Sequence, residues 1–268
     1  MRIAQFQTHV CGDKRKNIEN IELCLEKIRK EKVDLAAIGE MFNCPYVTEN
    51  FPKYAEKEGG ETFCALRDLA AKYQIYLSAG SVPEIDNDGK VYNTAYVFDR
   101  QGQMIAKHRK MHLFDIDIKG GQYFKESDTL TAGDQVTVFD TEFGKIGLCI
   151  CFDFRFPELA RQMVDKGAKV ILVPAAFNMT TGPAHWELMH RSRALDNQCY
   201  VAATSPARDT SASYVAWGHS MLVSPWGDVI QEMDEKEGYM INEVNLTDIE
   251  SVRAQLPLLS ARKIEFYK

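Results

Sequence analysis

GKIGLCICFDFRFPEL, residues 144–159, is an apolar run that ends in charge and carries two cysteines one residue apart. Side chains two apart in a strand point the same way, so GKIGLCIC (144–151) is expected as a strand in which Cys149 and Cys151 could share a face. FPELARQMVDKG (156–167) has helical spacing and is stopped by Gly167. A strand that runs almost directly into a helix is the repeating unit of α/β folds. In such folds, ligands gather at the carboxyl ends of the strands, where Cys151 falls. The pair could be a metal clip, a redox couple, or one packed thiol beside one working thiol.

The same grammar extends in both directions. RIAQFQTHV (2–10) reads as a strand, and the helical segment after it carries Ile18, Ile21, Leu25 and Ile28 on one face at spacings of three and four. VDLAAIGE (33–40) is a continuous apolar run of buried-strand type ending in an acid. A helix follows over Glu61 to Tyr73. IYLSAGSV and VYNTAYVFDR are strands joined through DNDGK, whose Asp-Gly pair signals a hairpin. GQMIAKHRK reads as a further strand, and Met111 to Gly133 as a long irregular loop. Downstream, KVILVPAAF is a strand, and TTGPAHWELMHRSRALDNQ a helix with Thr181 at its cap and Pro183 in its first turn. CYVAATSP, GHSMLVSPWGDVIQEM and GYMINEVNL supply the remaining strands, with a hairpin turn at SPWGDVI. No linker, repeat or low-complexity segment divides the chain. The pattern predicts one α/β domain over residues 1–268, with two sheets that each carry helices on one face.

Composition narrows the class. The chain has 268 residues, is 45% hydrophobic and bears a formal charge of -6. That suffices for a substantial core, and without a basic run it disfavours nucleic acid and anionic membranes as partners. No apolar stretch approaches the roughly 20 residues of a membrane span, and MRIAQFQTHV lacks a signal-peptide pattern. A soluble cytoplasmic protein is expected. The seven cysteines, at 11, 24, 44, 64, 149, 151 and 199, are odd in number and scattered, as suits a reducing compartment. Cys24 and Cys64 read as small core hydrophobes. No CxxC occurs, so neither zinc nor a thiol redox couple is favoured. A Cys149–Cys151 disulfide is disfavoured too, because Cα atoms two apart in a strand lie about 6.5–7 Å from each other. His108 and His112 fall where strand passes into loop, and His185 and His190 are out of phase on a helix, so neither pair makes a metal site. No metal or cofactor is expected.

Three strand-like runs end in chemistry: LAAIGEMF in Glu40, MIAKHRKMHLFD in Lys110 and IGLCICFDFRF in Cys151. The three residues lie 70 and 41 positions apart, so only the fold could assemble them. Each has a plain structural reading, as a cap, as part of a solvated basic patch, and as a packed thiol. Together they make a reaction. A free thiol has a pKa near 8.5 and needs a base, a cation or a helix N-terminus to react at neutral pH. Cys151, with a helix expected from about Phe156, receives the last of these. A glutamate could take the thiol proton and return it to a leaving nitrogen. A lysine could steady the anionic tetrahedral intermediate alongside backbone N–H groups. The intermediate would be a thioester, hydrolysed by water.

GEMFNCPY, RKMHLFDIDI, FKESDTLTAGD, GLCICFDFRFPELAR and PAAFNMTTGPAHWELMHRSRALDNQCYVAATSPAR resemble the nitrilase superfamily of carbon–nitrogen hydrolases, and within it the omega-amidase branch, over residues 2 to about 262. The resemblance implies a four-layer α-β-β-α sandwich. It makes Glu40 the general base, Lys110 the support of the tetrahedral intermediate, Cys151 the nucleophile and Glu126 a second glutamate that positions Lys110 and the substrate amide. Cys149 then fills a place typically held by a small residue. Arg155 is placed to pair a substrate carboxylate bidentately, unless Asp153 or Glu158 takes it. Phe177 and Phe152 complete the substrate-binding set. The implied activity is hydrolysis of the ω-amide of 2-oxo-dicarboxylic acid monoamides, α-ketoglutaramate and α-ketosuccinamate. Alternatives are a deaminated-glutathione amidase, an N-carbamoyl hydrolase, or a catalytically silent oligomeric interaction protein. A homodimer is expected, paired through the apolar stretch around Trp186 and Tyr200 and the C-terminal QLPLLSARKIEFY.

Overall fold

The alternation of strand and helix builds two sheets that pack face to face. The structure is a computed structural model and describes residues 1–119 and 123–267. The first half contains β1 (Arg2–Gln7), α1 (Lys14–Ile28), β2 (Leu35–Ile38), α2 (Phe51–Tyr54), α3 (Glu61–Tyr73), β3 (Tyr76–Ser78), β4 (Val82–Ile85), β5 (Val91–Phe98) and β6 (Met104–Arg109). A short antiparallel pair follows, β7 (Asp115–Asp117) with β8 (Tyr123–Lys125). The second half runs β9 (Thr137–Thr141), β10 (Gly144–Leu148), α4 (Pro157–Asp165), β11 (Val170–Pro174), α5 (Gly182–Asn197), β12 (Tyr200–Thr204), β13 (Met221–Val223), β14 (Val229–Glu232), β15 (Gly238–Glu243) and α6 (Leu246–Gln255).

Each sheet has a parallel centre of three strands, β1-β2-β3 in one and β10-β11-β12 in the other, with antiparallel strands outside. The last strand, β15, crosses back to pair with β1. Local sequence explains the elements. Asp13 caps α1, its Oδ1 accepting from the N–H groups of Arg15 and Lys16 at 3.0 and 3.4 Å, a contact worth about 1 kcal/mol. Ile21, Leu25 and Ile28 are the buried face of that helix.

Period-two alternation sorts the layers. Ile3, Leu35, Ala37, Ala95 and Val97 face the second sheet, whereas Ala4, Phe6, Ala36, Ile38, Tyr96 and Phe98 pack under α1 and α3 with Ile21, Leu25, Leu66 and Leu69. Gln5 stitches the sheets, its Nε2 donating to the Ala203 carbonyl at 2.8 Å and to Thr204 Oγ1 at 3.1 Å. Beyond the second sheet, Leu159, Met163, Trp186 and Ala194 of α4 and α5 close the core. The order is α-β-β-α, the four layers expected. Among the described residues, no helix is long and apolar enough to cross a membrane.

The structure corrects several local expectations. IYLSAGSV is not one strand, because the backbone bends at Gly80 (φ +62°), where a Cβ would collide with the Gly39 carbonyl. That close approach braces the loop after β2: Met41 N–H donates to Ser81 Oγ at 3.0 Å and Phe42 N–H to the Ser81 carbonyl at 3.2 Å. The expected loop from Met111 to Gly133 contains β7 and β8, although residues 120–122 of it lie outside the described residues.

GKIGLCIC stops being a strand at Leu148, and residues 151–155 form a 3₁₀ turn before α4. Cys149 and Cys151 therefore do not share the face of one strand. Thr181 does occupy the cap position of α5, but its hydroxyl donates to Asn178 Oδ1 and accepts from no helix N–H. Trp186 and Tyr200 are 1% and 3% exposed, held by hydrogen bonds to the His219 carbonyl and to Asp248, so they are core and not docking surface. The exposed apolar groups nearby are Leu188, Leu195 and Trp226.

Candidate active site

Glu40 follows β2, Lys110 follows β6, and Cys151 follows β10, so the two sheets bring their carboxyl ends to one buried point. Glu40 does not cap the turn after it. Its Oε1 accepts from Lys110 Nζ and Asn93 Nδ2, both at 2.9 Å, and its Oε2 from the Ala176 N–H at 2.8 Å, just past β11. Lys110 does not belong to a solvated patch either. Lys107 and Arg109, its neighbours in KHRK, pair with Glu84 toward the surface, while the Lys110 side chain is fully buried. Its ammonium reaches Glu40 Oε1 and Glu126 Oε1 at 2.9 Å each. Glu126 opens a 3₁₀ turn after β8 and is fixed through Oε2, which accepts the Phe114 N–H at 2.6 Å.

Cys151 sits at φ +45°, a left-handed conformation that costs a residue with a Cβ about 1 kcal/mol or more. Burial pushes the thiol well above its usual pKa, and the Glu40 charge adds to this against the pull of Lys110 and the Ala176 N–H. The resting thiol is therefore protonated. The expected help from a helix N-terminus is not the arrangement found: α4 begins six residues later, and the whole 3₁₀ turn intervenes. For Lys110, burial alone would favour the neutral amine, but its contacts with Glu126 and Glu40 outweigh it and hold the ammonium charged. Glu126 is raised by burial and by the Glu40 charge, against the pull of Lys110.

The backbone strain at Cys151 is held by Asp153. Its Oδ1 accepts from the Met111 and His112 N–H groups (3.0 and 2.8 Å) and from His112 Nδ1 (2.8 Å), and its Oδ2 from the Ile150 N–H (3.1 Å). His108 Nε2 meets Oδ2 at 2.9 Å. Burial would raise this carboxyl, but the His108 and His112 contacts outweigh it and keep it well below the usual carboxylate range. One buried carboxylate thus ties the residues flanking Lys110 to those flanking Cys151. His108 and His112, weighed in the sequence only as metal ligands, serve this clamp. Among the described residues, no group of three or more His, Cys, Asp or Glu side chains is arranged to hold a metal.

A small cavity beside Cys151 is lined by Phe114, Phe152, Arg155, Ala176, Phe177, Thr181 and Tyr214, so all three expected substrate contacts meet there. The Arg155 guanidinium lies 4.8 Å from the Phe177 ring centre and 5.6 Å from that of Phe152, and its Nη1 reaches His185 Nδ1 at 3.2 Å. Neither Asp153 nor Glu158 pairs with it, and among the described residues no carboxylate does. Burial consequently lowers its pKa. A half-buried cation without a counter-ion favours an arriving anion. A second cavity, of about 140 Å³, lies across Tyr214 and is bounded by Glu40, Tyr46 and Ala176.

Tyr46 and Asn93 received no role from the sequence, and Asp153 was weighed only as a partner of Arg155. Tyr46 and Asp153 lie inside the segments that carry the resemblance, GEMFNCPY and CFDFRF, and their positions beside Glu40 and Cys151 were the available signal. Asn93 lies in a strand of ordinary alternation and left none.

Two sheets closing over a Glu–Lys–Cys cluster define a hydrolase of the four-layer α-β-β-α kind, and the sequence comparison agrees. Residues 2–254 match the carbon–nitrogen hydrolase family model, and the chain belongs to that family. Omega-amidase NIT2 of Mus musculus is 45% identical, over 99% of this chain and 96% of its own, and omega-amidase NIT2-A of Xenopus laevis is 48% identical over the same shares. Within the nitrilase superfamily the chain therefore stands in the omega-amidase branch. Among solved structures, Nit3 of Saccharomyces cerevisiae, a member of branch 10 of that superfamily, superposes with a TM-score of 0.91 at 40% identity, covering 98% of this chain and 96% of that one. The Caenorhabditis elegans NitFhit protein superposes at 0.92 and 32% identity, with all of this chain on 66% of that one.

Proposed function

We propose that the protein is an omega-amidase that hydrolyses the ω-amide of 2-oxo-dicarboxylic acid monoamides, such as α-ketoglutaramate, to the dicarboxylic acid and ammonia. The observation that carries the reading is the unpaired Arg155 in the cavity beside Cys151. Glu40 takes the thiol proton as sulfur adds to the amide carbonyl, and the Lys110 ammonium faces the oxyanion. Collapse breaks the carbon–nitrogen bond, with the proton passing from Glu40 to the leaving nitrogen. Water, deprotonated by Glu40, then attacks the thioester, and the thiolate recovers its proton. Glu126 holds Lys110 through a second contact at 2.9 Å. Arg155 takes the remote carboxylate, with Phe177 and Phe152 against the carbon chain.

The relatives named omega-amidase support this substrate class. Glu40 and Lys110 come from one sheet and Cys151 from the other, which supports the chain 1–268 working as one domain. Five of the seven free cysteines are buried, which fits a reducing cytoplasmic setting. The exposed Leu188, Leu195 and Trp226, with the apolar C-terminal segment, support a homodimer. The activity test is direct: ammonia release from α-ketoglutaramate and from small neutral amides, with and without thiol alkylation. Release from neutral amides alone would reject the dicarboxylic substrate, and release that survives alkylation would reject the cysteine mechanism.

A further inference from the structure

We propose that Glu126 carries a proton in the resting protein and donates it to the Tyr46 hydroxyl, which in turn donates to Glu40, so that one hydrogen-bond chain fixes the base. The inference rests on the proposed roles of Glu40, Lys110 and Cys151 and adds Tyr46 to them as a positioning residue.

The hydrogens available to the cluster require that proton. The Tyr46 hydroxyl oxygen lies 2.6 Å from Glu126 Oε1 and 3.1 Å from Glu40 Oε1. A phenol has one proton to donate. With both carboxylates ionised, one of these two contacts would set lone pair against lone pair in a fully buried place. Lys110 does not supply the missing proton. Two of its N–H groups go to Glu40 and Glu126, and the third points at the Tyr46 oxygen from 3.4 Å, as a donor to it. A proton on Glu126 Oε1 closes the count. Oε1–H donates to Tyr46 across the short 2.6 Å contact, Tyr46 donates to Glu40, and Glu126 Oε2 remains the carbonyl-like oxygen that accepts the Phe114 N–H.

Counting charges gives the same answer independently. The side chains of Glu40, Glu126 and Lys110 are all fully excluded from solvent. Two carboxylates against one ammonium leave a buried negative charge, and carboxylates that share a site do not both ionise readily. A neutral Glu126 balances the cluster and leaves Glu40 alone to take up the thiol proton. The groups facing Tyr46 are Glu126, Glu40, Cys151 and Tyr214, with Lys110 at the hydroxyl. Its ring is held between Tyr214 (centroids 4.5 Å apart, stacked) and Phe51 (5.5 Å, edge-on). Through the cycle the proton that moves from Cys151 to Glu40 to nitrogen is replaced by one from water. Glu126 keeps its own.

Tyr46→Phe retains the ring packing and removes only the hydroxyl, so the fold is expected to stand. Infrared difference spectra at neutral pH are expected to show a protonated-carboxyl band in the resting wild-type protein, shifted in Tyr46→Phe and missing in Glu126→Gln. In Tyr46→Phe, kcat is expected to fall roughly 10- to 100-fold, with the melting curve nearly unchanged. The acid limb of kcat/KM should move to higher pH, because Glu40 loses one hydrogen-bond donor. A wild-type spectrum without that band, or a Tyr46→Phe pH profile that superimposes on wild type, overturns the proposal. The spectra need no substrate. A band present in a protein that ignores α-ketoglutaramate would reject the amidase reading and leave the proton assigned.

Discussion

Cys149 and Cys151 show how far residue type decides a role. Both thiols are buried, and burial raises both well above the usual pKa. Only Cys151 has Glu40 and Lys110 against it. Cys151→Ala is expected to abolish turnover and Cys149→Ala to keep most of it, with an acyl adduct on the Cys151 peptide after a short substrate pulse. An active Cys151→Ala would end the assignment. Arg155 is the residue on which the substrate depends. Losing a charge-assisted contact to the remote carboxylate should lower kcat/KM for α-ketoglutaramate by about 30-fold to several thousand-fold, while any activity on a neutral amide falls much less. Equal losses on both substrates in a well-folded Arg155→Ala would remove its carboxylate role. The acid, the ammonium and the thiol were legible in the sequence because each closes an apolar run. Tyr46 and Asp153 were not, because a hydroxyl or a carboxylate that serves another side chain leaves no local pattern.

The element that sets the site is the 3₁₀ turn over 151–155, with Asp153 reaching across to the backbone of Met111 and His112. Asp153→Asn keeps the shape but loses the charge and places an NH₂ against donors. Breaking such a buried network costs roughly 3–5 kcal/mol, so a clear drop in melting temperature is expected together with a loss of kcat larger than any change in KM. A variant with wild-type kcat would show that the clamp does not position the site. Because the folded Asp153 carboxyl lies below its ordinary range, the stabilisation is complete above that range and is lost only as the pH falls through strong acid. Strand and helix boundaries were readable wherever apolar spacing decided them, as in α1 and α3. They failed at Gly80 and at Leu148, where tertiary contacts (the Gly39 carbonyl in one case, Asp153 in the other) end a strand whose side chains would have continued it.

At the scale of the whole molecule, the sequence carried the two βαβ halves but not how they face each other, which depends on Gln5 and on alternation read across both sheets. Nor did it separate buried from exposed aromatics, since Trp186 and Trp226 look alike until the helix and the hairpin turn are placed. Sedimentation at micromolar concentration is expected to give twice the chain mass, and Leu188→Asp on the exposed face of α5 to shift it toward the monomer. A clean wild-type monomer would overturn the dimer. The unpaired Arg155 also gives the active site a polarity. The cavity beside Cys151 holds the Arg155 cation, and Glu40 bounds the neighbouring cavity across Tyr214, in a protein of net charge -6. A monoamide meets Glu40 with a neutral group, whereas the diacid formed from it presents a fresh anion there. Turnover thus converts an electrostatically matched guest into a mismatched one, and product clearance runs downhill. Inhibition by the dicarboxylate should accordingly require concentrations well above the KM for the amide, and a product that binds as tightly as substrate would contradict this polarity.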